Sequence, residues 1–196
     1  FFSDINDKSV NDMINFLTQN IFAAQNQKQT IEEIVIQIAS NGGSSDHGLL
    51  AYNFLKQLNI PKTTINVGNV DSAAALIYCA GDKRLAVNTS RFTLHGAITT
   101  LNGAFSGTKL QEIADLNKRI TSDYIKVIAQ TTTQNIKKLS KKIDSGYVLD
   151  ATESIKLQLS TEILAKPYIE STENMNAMII NNQPVIKPPQ QQTVQS

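Results

Sequence analysis

Three short segments of the chain carry groups that could attack an amide bond. Ser72 opens an alanine-rich run, the pair Gly42-Gly43 follows an apolar stretch, and His95 ends an alternating stretch. A serine hydroxyl becomes a nucleophile when a histidine takes its proton, and backbone N–H groups can stabilise the oxyanion that forms. These residue types therefore predict acyl transfer through a serine, provided that the fold brings the three segments together.

Each of these segments also has an ordinary structural interpretation. Ser72 is predicted to stand at a helix N-terminus, where its side chain could act as an N-cap, or where the Ala73 N–H could face an oxyanion. The double glycine Gly42-Gly43 could form a tight turn or let the backbone approach a ligand closely. A histidine at a strand end, such as His95, often has a structural role. The residues alone leave both interpretations open.

The elements that must position these groups alternate between strand and helix. The patterns predict helices over 7–24, 50–58, 72–80, 108–130 and 134–143, a last helix opened by a capping box at 150–153, and strands over 34–38, 63–67, 84–87 and 90–95. The first strand reads as buried on both faces, and Gly68 is expected to end the second. Such alternation predicts an α/β fold with a largely parallel sheet, in which reactive groups gather at the carboxyl ends of the strands.

Length and composition favour one soluble domain without metal or cofactor. The chain has 196 residues, 18% charged residues and a net charge of +1, so no strong field favours nucleic acid or a membrane. One cysteine, Cys79, and two histidines, His47 and His95, cannot make a usual zinc site. Cys79 is expected to be a buried, inert thiol, and His47 is assigned no role. The Pro- and Gln-rich residues 183–196 are expected to be disordered.

The order and spacing of the reactive segments resemble the ClpP family of serine peptidases. Ile38-Ala-Ser-Asn-Gly-Gly-Ser44 is similar to that family's strand followed by Ser-Pro-Gly-Gly, and Gly68-Asn-Val-Asp-Ser72-Ala-Ala to its Gly-x-Ala-Ala-Ser segment. The stretch from Ala80 to His95 resembles the family's run that ends in the catalytic histidine. The resemblance implies that Ser72 is the nucleophile, that His95 is the general base, and that Gly43 and Ala73 supply the oxyanion hole.

The third catalytic residue is also implied by resemblance. The ClpP motif has an Asp just before an aromatic-Leu/Met-Ser/Thr-Ala run, and direct alignment puts Gly146 at that position. ClpP-like phage head-maturation peptidases have a similar stretch, on which Asp144 takes the Asp position. Asp144 is therefore predicted to orient His95. Asn41 stands where the family has proline, and Asp71 where it usually has alanine.

The resemblance also implies an architecture and partners. It predicts the ClpP/crotonase-type spiral of repeated β-β-α units over residues 1–166, with a protruding long-helix handle at about 108–130 and a C-terminal extension over 167–196. The implied protein is a cytoplasmic serine endopeptidase subunit of a self-compartmentalising protease. It would form heptameric rings, possibly paired into a double ring, and hydrolyse peptides or proteins delivered by an AAA+ unfoldase.

Two alternatives are weighed against this interpretation. Asp71 and Gly146 are compatible with a catalytically inactive ClpP-like ring subunit that has a structural or regulatory role. An acyl-CoA enzyme of the crotonase type would share the architecture, but the Ser72–His95 spacing argues against it.

Overall fold

The structure, a computed structural model, describes residues 1–169, 171, 173 and 175–182. The described helices are α1 (Asp7–Asn26), α2 (Ser45–Gln57), α3 (Ala74–Cys79), α4 (Gly107–Thr132), α5 (Ile136–Asp144) and α6 (Ala151–Lys156). The described strands are β1 (Ile34–Ser40), β2 (Lys62–Asp71), β3 (Lys83–Val87), β4 (Arg91–Leu94), β5 (Tyr147–Asp150) and β6 (Glu162–Leu164). The predicted α/β class is confirmed.

One sheet organises the molecule. Its strand order is β5-β4-β2-β3-β6, with β1 also paired to β2. All pairings are parallel except that of β4 with β5. The prediction of a largely parallel sheet is therefore confirmed, with one antiparallel strand at the β5 edge.

Strand β2 is the element that brings the reactive segments together. Thr63 to Asn66 pair with β3, and Asn69 to Asp71 pair with β4. Strand β1 runs parallel to β2 as far as the pair Ser40↔Val70. The carboxyl ends of β1, β2 and β4 therefore meet at one edge of the sheet, as expected for parallel strands.

Helix α3 anchors this edge to the core. All six of its residues are buried, and small alanines let it pack closely against β2 and α2. Tyr78 packs edge-on against Phe92, with ring centroids 5.0 Å apart. Helix and strand thus share one apolar core immediately behind Ser72.

Several predicted boundaries are wrong, each for a local reason. Strand β1 buries one face fully and leaves the other half-buried, because its pattern alternates along the strand. Strand β2 continues through Gly68 to Asp71, because its last residues gain a partner in β4. Helix α3 begins at Ala74, since Ser72 adopts a left-handed backbone conformation that no right-handed helix contains. Strands β5 and β6 were not predicted.

The long helix α4 leaves the body of the protein over its first half. Residues 107–120 are exposed or half-buried, whereas Tyr124, Ile125, Val127 and Ile128 are buried. Leu110 and Leu116 are among its exposed apolar residues. This agrees with the predicted protruding helix near 108–130.

The segment after residue 166 returns to the body. The Tyr168 hydroxyl donates to Glu33, and the Phe2 N–H donates to the Ile180 carbonyl oxygen across 2.7 Å. The boundary at residue 166 stays a prediction, and the predicted disorder of 183–196 lies outside the described residues. No helix in the described part of the chain is both long and apolar enough to cross a bilayer.

Candidate active site

Ser72 lies in a strained turn between β2 and α3. Its φ of +52° lies in the left-handed region, which costs a non-glycine residue roughly 1–2 kcal/mol. Ala73, not Ser72, is the N-cap of α3, and no side chain caps the helix there. The interpretation of Ser72 as a capping residue is therefore wrong, and its hydroxyl makes no hydrogen bond to the N-terminus of α3.

Hydrogen bonds to the surrounding elements hold this turn in place. The Ser72 N–H donates to the Thr93 carbonyl oxygen across 2.7 Å. The Ser72 carbonyl oxygen accepts from the Tyr124 hydroxyl at 3.2 Å and from the Ala75 N–H at 3.0 Å. A backbone conformation of this kind persists only where its surroundings over-determine it, and such positions cluster at functional sites.

Gly42 and Gly43 form the neighbouring turn after β1. At both positions a backbone atom from another segment lies too close to leave room for a Cβ, so glycine is required. A Cβ on Gly42 would lie 2.6 Å from the Asp71 carbonyl oxygen, and one on Gly43 would lie 2.3 Å from the Ile5 carbonyl oxygen. Their φ angles are +91° and +142°. Gly42 thus brings this turn directly against the Ser72 turn, and Gly43 packs it against Ile5.

One cavity of about 200 Å³ connects the predicted groups. Ser72, His95 and Gly43 all line it, together with Ser44, Ser45, Ala97, Ile98, Thr99 and Ile120. The N–H groups of Gly43 and Ala73 donate to no other described residue. The cavity therefore has a hydroxyl, an imidazole and a free backbone donor on its walls.

His95 is held by the peptide that follows it. Its Nδ1 lies 2.7 Å from the Gly96 carbonyl oxygen. A carbonyl can only accept, so this contact assigns the proton to Nδ1 and leaves Nε2 as the acceptor. Within the described residues, the Ser72 hydroxyl makes no hydrogen bond, so Ser72 and His95 share a cavity without a hydrogen bond between their side chains.

Asp144 lies away from this cavity. It is the exposed last residue of α5, and its carboxylate accepts from the Ser140 hydroxyl at 3.1 Å. The last residue pair of the β4–β5 ladder is Leu94↔Tyr147, and His95 and Gly146 are the next residues beyond it. A Cβ on Gly146 would meet nothing within 4 Å. The role of Asp144 stays a prediction.

Asp71 belongs to a polar network beside the cavity. Its carboxylate pairs with Arg91 at 2.9 Å and accepts from the Asn69 amide at 2.9 Å. Asn69 also donates to the Asn41 side chain across 3.0 Å. Asn41 and Asp71, two of the residues that depart from the ClpP motif, therefore join the turn after β1 to the end of β2 and to β4.

A second serine–histidine pair lies at the edge of the same cavity. The Ser44 hydroxyl is 2.9 Å from His47 Nδ1, and His47 Nε2 is 3.5 Å from the Asp7 carboxylate. Ser44 is the N-cap of α2, and its hydroxyl accepts from the His47 N–H. Asp7 is 80% exposed, and exposed pairs contribute little. Capping explains this pair, but Ser44 is the natural competitor to test against Ser72.

Sequence patterns missed the contribution of α4. No role is assigned to Tyr124 from the sequence, yet its hydroxyl reaches Ser72. Thr121, one turn earlier, accepts a hydrogen bond from the Ala97 N–H across 2.9 Å. The sequence does contain one indication of this role. Thr121 and Tyr124 both carry a hydroxyl, and residues three positions apart share a helix face.

Comparisons with known proteins show the family to which the sequence is related. The model of the family described as Clp protease matches residues 2–167. The chain is 29% identical over 137 residues to the ATP-dependent Clp protease proteolytic subunit 2 of Borreliella burgdorferi, covering 69% of this chain and 68% of that protein. It is 33% identical over 127 residues to the ATP-dependent Clp protease proteolytic subunit 3 of Rhizobium etli, covering 63% of each.

A solved structure supports the fold. A mutant of ClpP1 from Listeria monocytogenes superposes with a TM-score of 0.73 at 21% identity, covering 85% of this chain and 90% of that one. The sequence alignments span about two thirds of the relatives' own lengths.

Proposed function

Because this chain belongs to the Clp protease family, we propose that it is a serine endopeptidase subunit that hydrolyses peptide bonds with Ser72 as nucleophile and His95 as general base. The observation that carries the proposal is the single cavity lined by Ser72, His95 and Gly43, beside a left-handed turn at Ser72. A hydroxyl on a strained strand-to-helix turn is how other serine hydrolases expose their nucleophile.

The proposed chemistry uses groups that line or adjoin this cavity. His95 Nε2 takes the proton from the Ser72 hydroxyl as that oxygen attacks the carbonyl carbon of the scissile peptide bond. The Gly43 and Ala73 N–H groups stabilise the resulting oxyanion. His95 then gives the proton to the leaving amine. In the second half of the reaction His95 takes a proton from water as the water oxygen attacks the acyl carbon, and it then gives that proton to the leaving Ser72 oxygen.

The separation of Ser72 and His95 is compatible with this proposal. Catalytic hydrogen bonds are often long or misaligned in a ligand-free site and tighten when the substrate binds. The Ser72 hydroxyl has no competing partner among the described residues, so a rotation about one side-chain bond redirects it without breaking a hydrogen bond.

Two groups compete for the role of orienting His95 Nδ1. Asp144 is the carboxylate that the resemblance implies, and the Gly96 carbonyl oxygen is the acceptor that contacts Nδ1. Asp144→Asn keeps the shape and removes the charge. A loss of about 10⁴-fold in kcat assigns the role to Asp144. A loss below tenfold assigns it to the Gly96 carbonyl.

We further propose that the subunits form rings, that a double ring is held by the exposed half of α4, and that an AAA+ unfoldase delivers peptide or protein substrates in the cytoplasm. The relatives' names, ATP-dependent Clp protease proteolytic subunits, support the dependence on an ATP-driven partner. The exposed Leu110 and Leu116 of α4 support an assembly contact there.

Labelling with a fluorophosphonate probe tests the nucleophile. The wild-type protein is expected to form a stable adduct at Ser72, found by peptide mass spectrometry, and Ser72→Ala is expected to abolish it. Ser44→Ala is the matched control, because Ser44 lines the same cavity and contacts a histidine of its own. That variant is expected to label as the wild type does.

The same experiment separates the alternatives. Labelling that survives in Ser72→Ala and disappears in Ser44→Ala would move the nucleophile to Ser44. If the wild-type protein is folded and assembled but does not label at high probe concentration, the inactive ring subunit is favoured. Asp71 and Gly146 are the residues that motivate this alternative.

A further inference from the structure

The loop that follows His95 makes two hydrogen bonds to α4. One joins the Asn117 amide to the Thr99 hydroxyl across 3.0 Å, and the other lies directly beside His95. The Ala97 N–H donates to the Thr121 hydroxyl oxygen across 2.9 Å. Gly96 packs against the same side chain, because a Cβ on Gly96 would lie 3.1 Å from Thr121 Cγ2 and 3.4 Å from its hydroxyl oxygen. Thr121 is half-buried, so this hydrogen bond is partly shielded from water.

The group that Thr121 holds is the same peptide unit that holds His95. The Gly96 carbonyl and the Ala97 N–H are the two ends of one planar peptide, and they point in opposite directions. Fixing the direction of the N–H therefore fixes the direction of the carbonyl. That carbonyl oxygen lies 2.7 Å from His95 Nδ1.

We propose that Thr121 is a positioning residue for His95 and acts through the Gly96–Ala97 peptide. This inference rests on the proposed function, in which His95 Nε2 takes the proton of Ser72. Thr121 keeps the carbonyl aimed at Nδ1, which keeps the proton on Nδ1 and leaves Nε2 free to accept. Helix α4 thereby sets the tautomer of the base through the backbone of the loop.

Another threonine of α4 shows why the contact is specific. Thr132 gives its hydroxyl hydrogen to the Ile128 carbonyl oxygen of the preceding turn, a common use of threonine inside helices. The Thr121 oxygen instead accepts from a different segment of the chain. On this proposal, the Thr121 side chain matters because its oxygen accepts the Ala97 N–H, and its branched shape matters less.

Two variants separate the acceptor from the shape. Thr121→Val keeps the branched side chain and removes the oxygen, whereas Thr121→Ser keeps the oxygen and removes a methyl group. We expect Thr121→Val to lower kcat on a fluorogenic peptide by roughly 10–100-fold with KM unchanged, because small misplacements of a catalytic group cost about that much. Thr121→Ser is expected to restore kcat to within about threefold, the margin left for the missing methyl contact.

A spectroscopic measurement tests the inference without requiring activity. The chain has two histidines, so ¹⁵N-histidine labelling at alkaline pH gives two sets of ring signals, and His47→Asn identifies those of His95. We expect the wild type to show the Nδ1–H tautomer at His95. Thr121→Val is expected to shift His95 toward a mixture of tautomers, and Thr121→Ser to return it.

The outcomes distinguish this inference from the proposed function. An unchanged tautomer and unchanged kcat in Thr121→Val would overturn the role of Thr121, as would equal losses in Thr121→Val and Thr121→Ser. A wild type that fails to label at Ser72 would overturn the proposed function, while the tautomer measurement would still decide whether Thr121 positions His95. Thermal unfolding midpoints that stay equal among the variants exclude general loss of folding.

Discussion

Tyr124 donates its hydroxyl hydrogen to the backbone carbonyl oxygen of Ser72 across 3.2 Å. Burial, followed by the charges that Cys79 and Asp71 carry when they are ionised, raises the pKa of Tyr124 well above its usual range. The hydroxyl therefore keeps its proton at neutral and moderately alkaline pH, and the bond to Ser72 does not titrate there. Helix α4 reaches Ser72 through this contact and the peptide after His95 through Thr121.

Tyr124→Phe is expected to lower the rate of fluorophosphonate labelling at Ser72. The substitution keeps the buried ring but leaves the Ser72 carbonyl with one donor fewer, at a cost of about 1 kcal/mol in the free energy of unfolding. We expect about a tenfold slower labelling, because the turn gains freedom. Tyr52→Phe, a half-buried tyrosine outside the cavity, serves as control. Labelling of Tyr124→Phe at the wild-type rate would contradict the prediction.

Gly146→Asp is expected to increase the labelling rate at Ser72. The position lies next to the last β4–β5 pair, Leu94↔Tyr147, as His95 does, and a Cβ there would meet no atom within 4 Å. A carboxylate near the imidazole stabilises the imidazolium that forms during attack. The φ of +80° adds a cost of about 1 kcal/mol, which Asp tolerates better than most residues.

Gly146→Asn is the matched control for this change. It has the same shape and tolerates the same backbone conformation, but it carries no charge. Equal labelling rates in the Asp and Asn variants would mean that charge at position 146 does not act on His95.

Leu116→Asp is expected to reduce the mass of the assembly measured by light scattering. Leu116 is 54% exposed on the projecting half of α4, so a charge there is tolerated by the fold but not by an apolar contact with another subunit. Ala114→Asp adds the same charge on a different side of the helix and serves as control. An unchanged mass in Leu116→Asp would exclude this residue from the assembly contact.

Val127 shows why the position of the charge matters. It lies on the same helix but is buried in the protein's own core. A charge at Val127 would lower the free energy of unfolding of the subunit itself. Loss of assembly in such a variant would therefore not report on contacts between subunits.

The Cys79 thiol is expected to be unreactive in the folded protein. Burial raises its pKa to about 11, so almost no thiolate exists at pH 8. Ellman's reagent should detect the one cysteine of the chain only after denaturation. Rapid reaction in the native state would contradict this.

The same thiol predicts a decline of stability at alkaline pH. The pKa is higher in the folded state than in the unfolded state, where it is about 8.5. The unfolded chain therefore releases the proton first as the pH rises, and the stabilisation is present below pH 8.5 and lost toward pH 11. Urea unfolding of Cys79→Ala should show a shallower decline over this range than the wild type does.

The sequence predicts most of what brings the site together. The alternation of strands and helices, with Gly43, Ser72 and His95 after strand-like stretches, predicts that these residues meet at one edge of a parallel sheet. That inference needs only local patterns and the geometry of parallel strands. The structure places all three on one cavity.

What the sequence could not predict depends on contacts between distant segments. The left-handed conformation of Ser72 follows from hydrogen bonds with Thr93 and Tyr124, which lie 21 and 52 positions further along the chain. The contact of Thr121 with Ala97 depends on how a glycine-containing loop packs against α4. No pattern of local propensity includes such information.

Because Ser72 has a positive φ, substitutions to alanine and to glycine should differ in their effect on backbone strain at this turn. Alanine retains a Cβ, so Ser72→Ala keeps the backbone strain of the natural turn. It also preserves the shape that a bound peptide would meet. Glycine releases that strain, since it adopts positive φ at no steric cost. A trap designed to capture substrates should therefore carry alanine, whereas a glycine variant would report how much folding energy the protein gives up to keep a hydroxyl at this position.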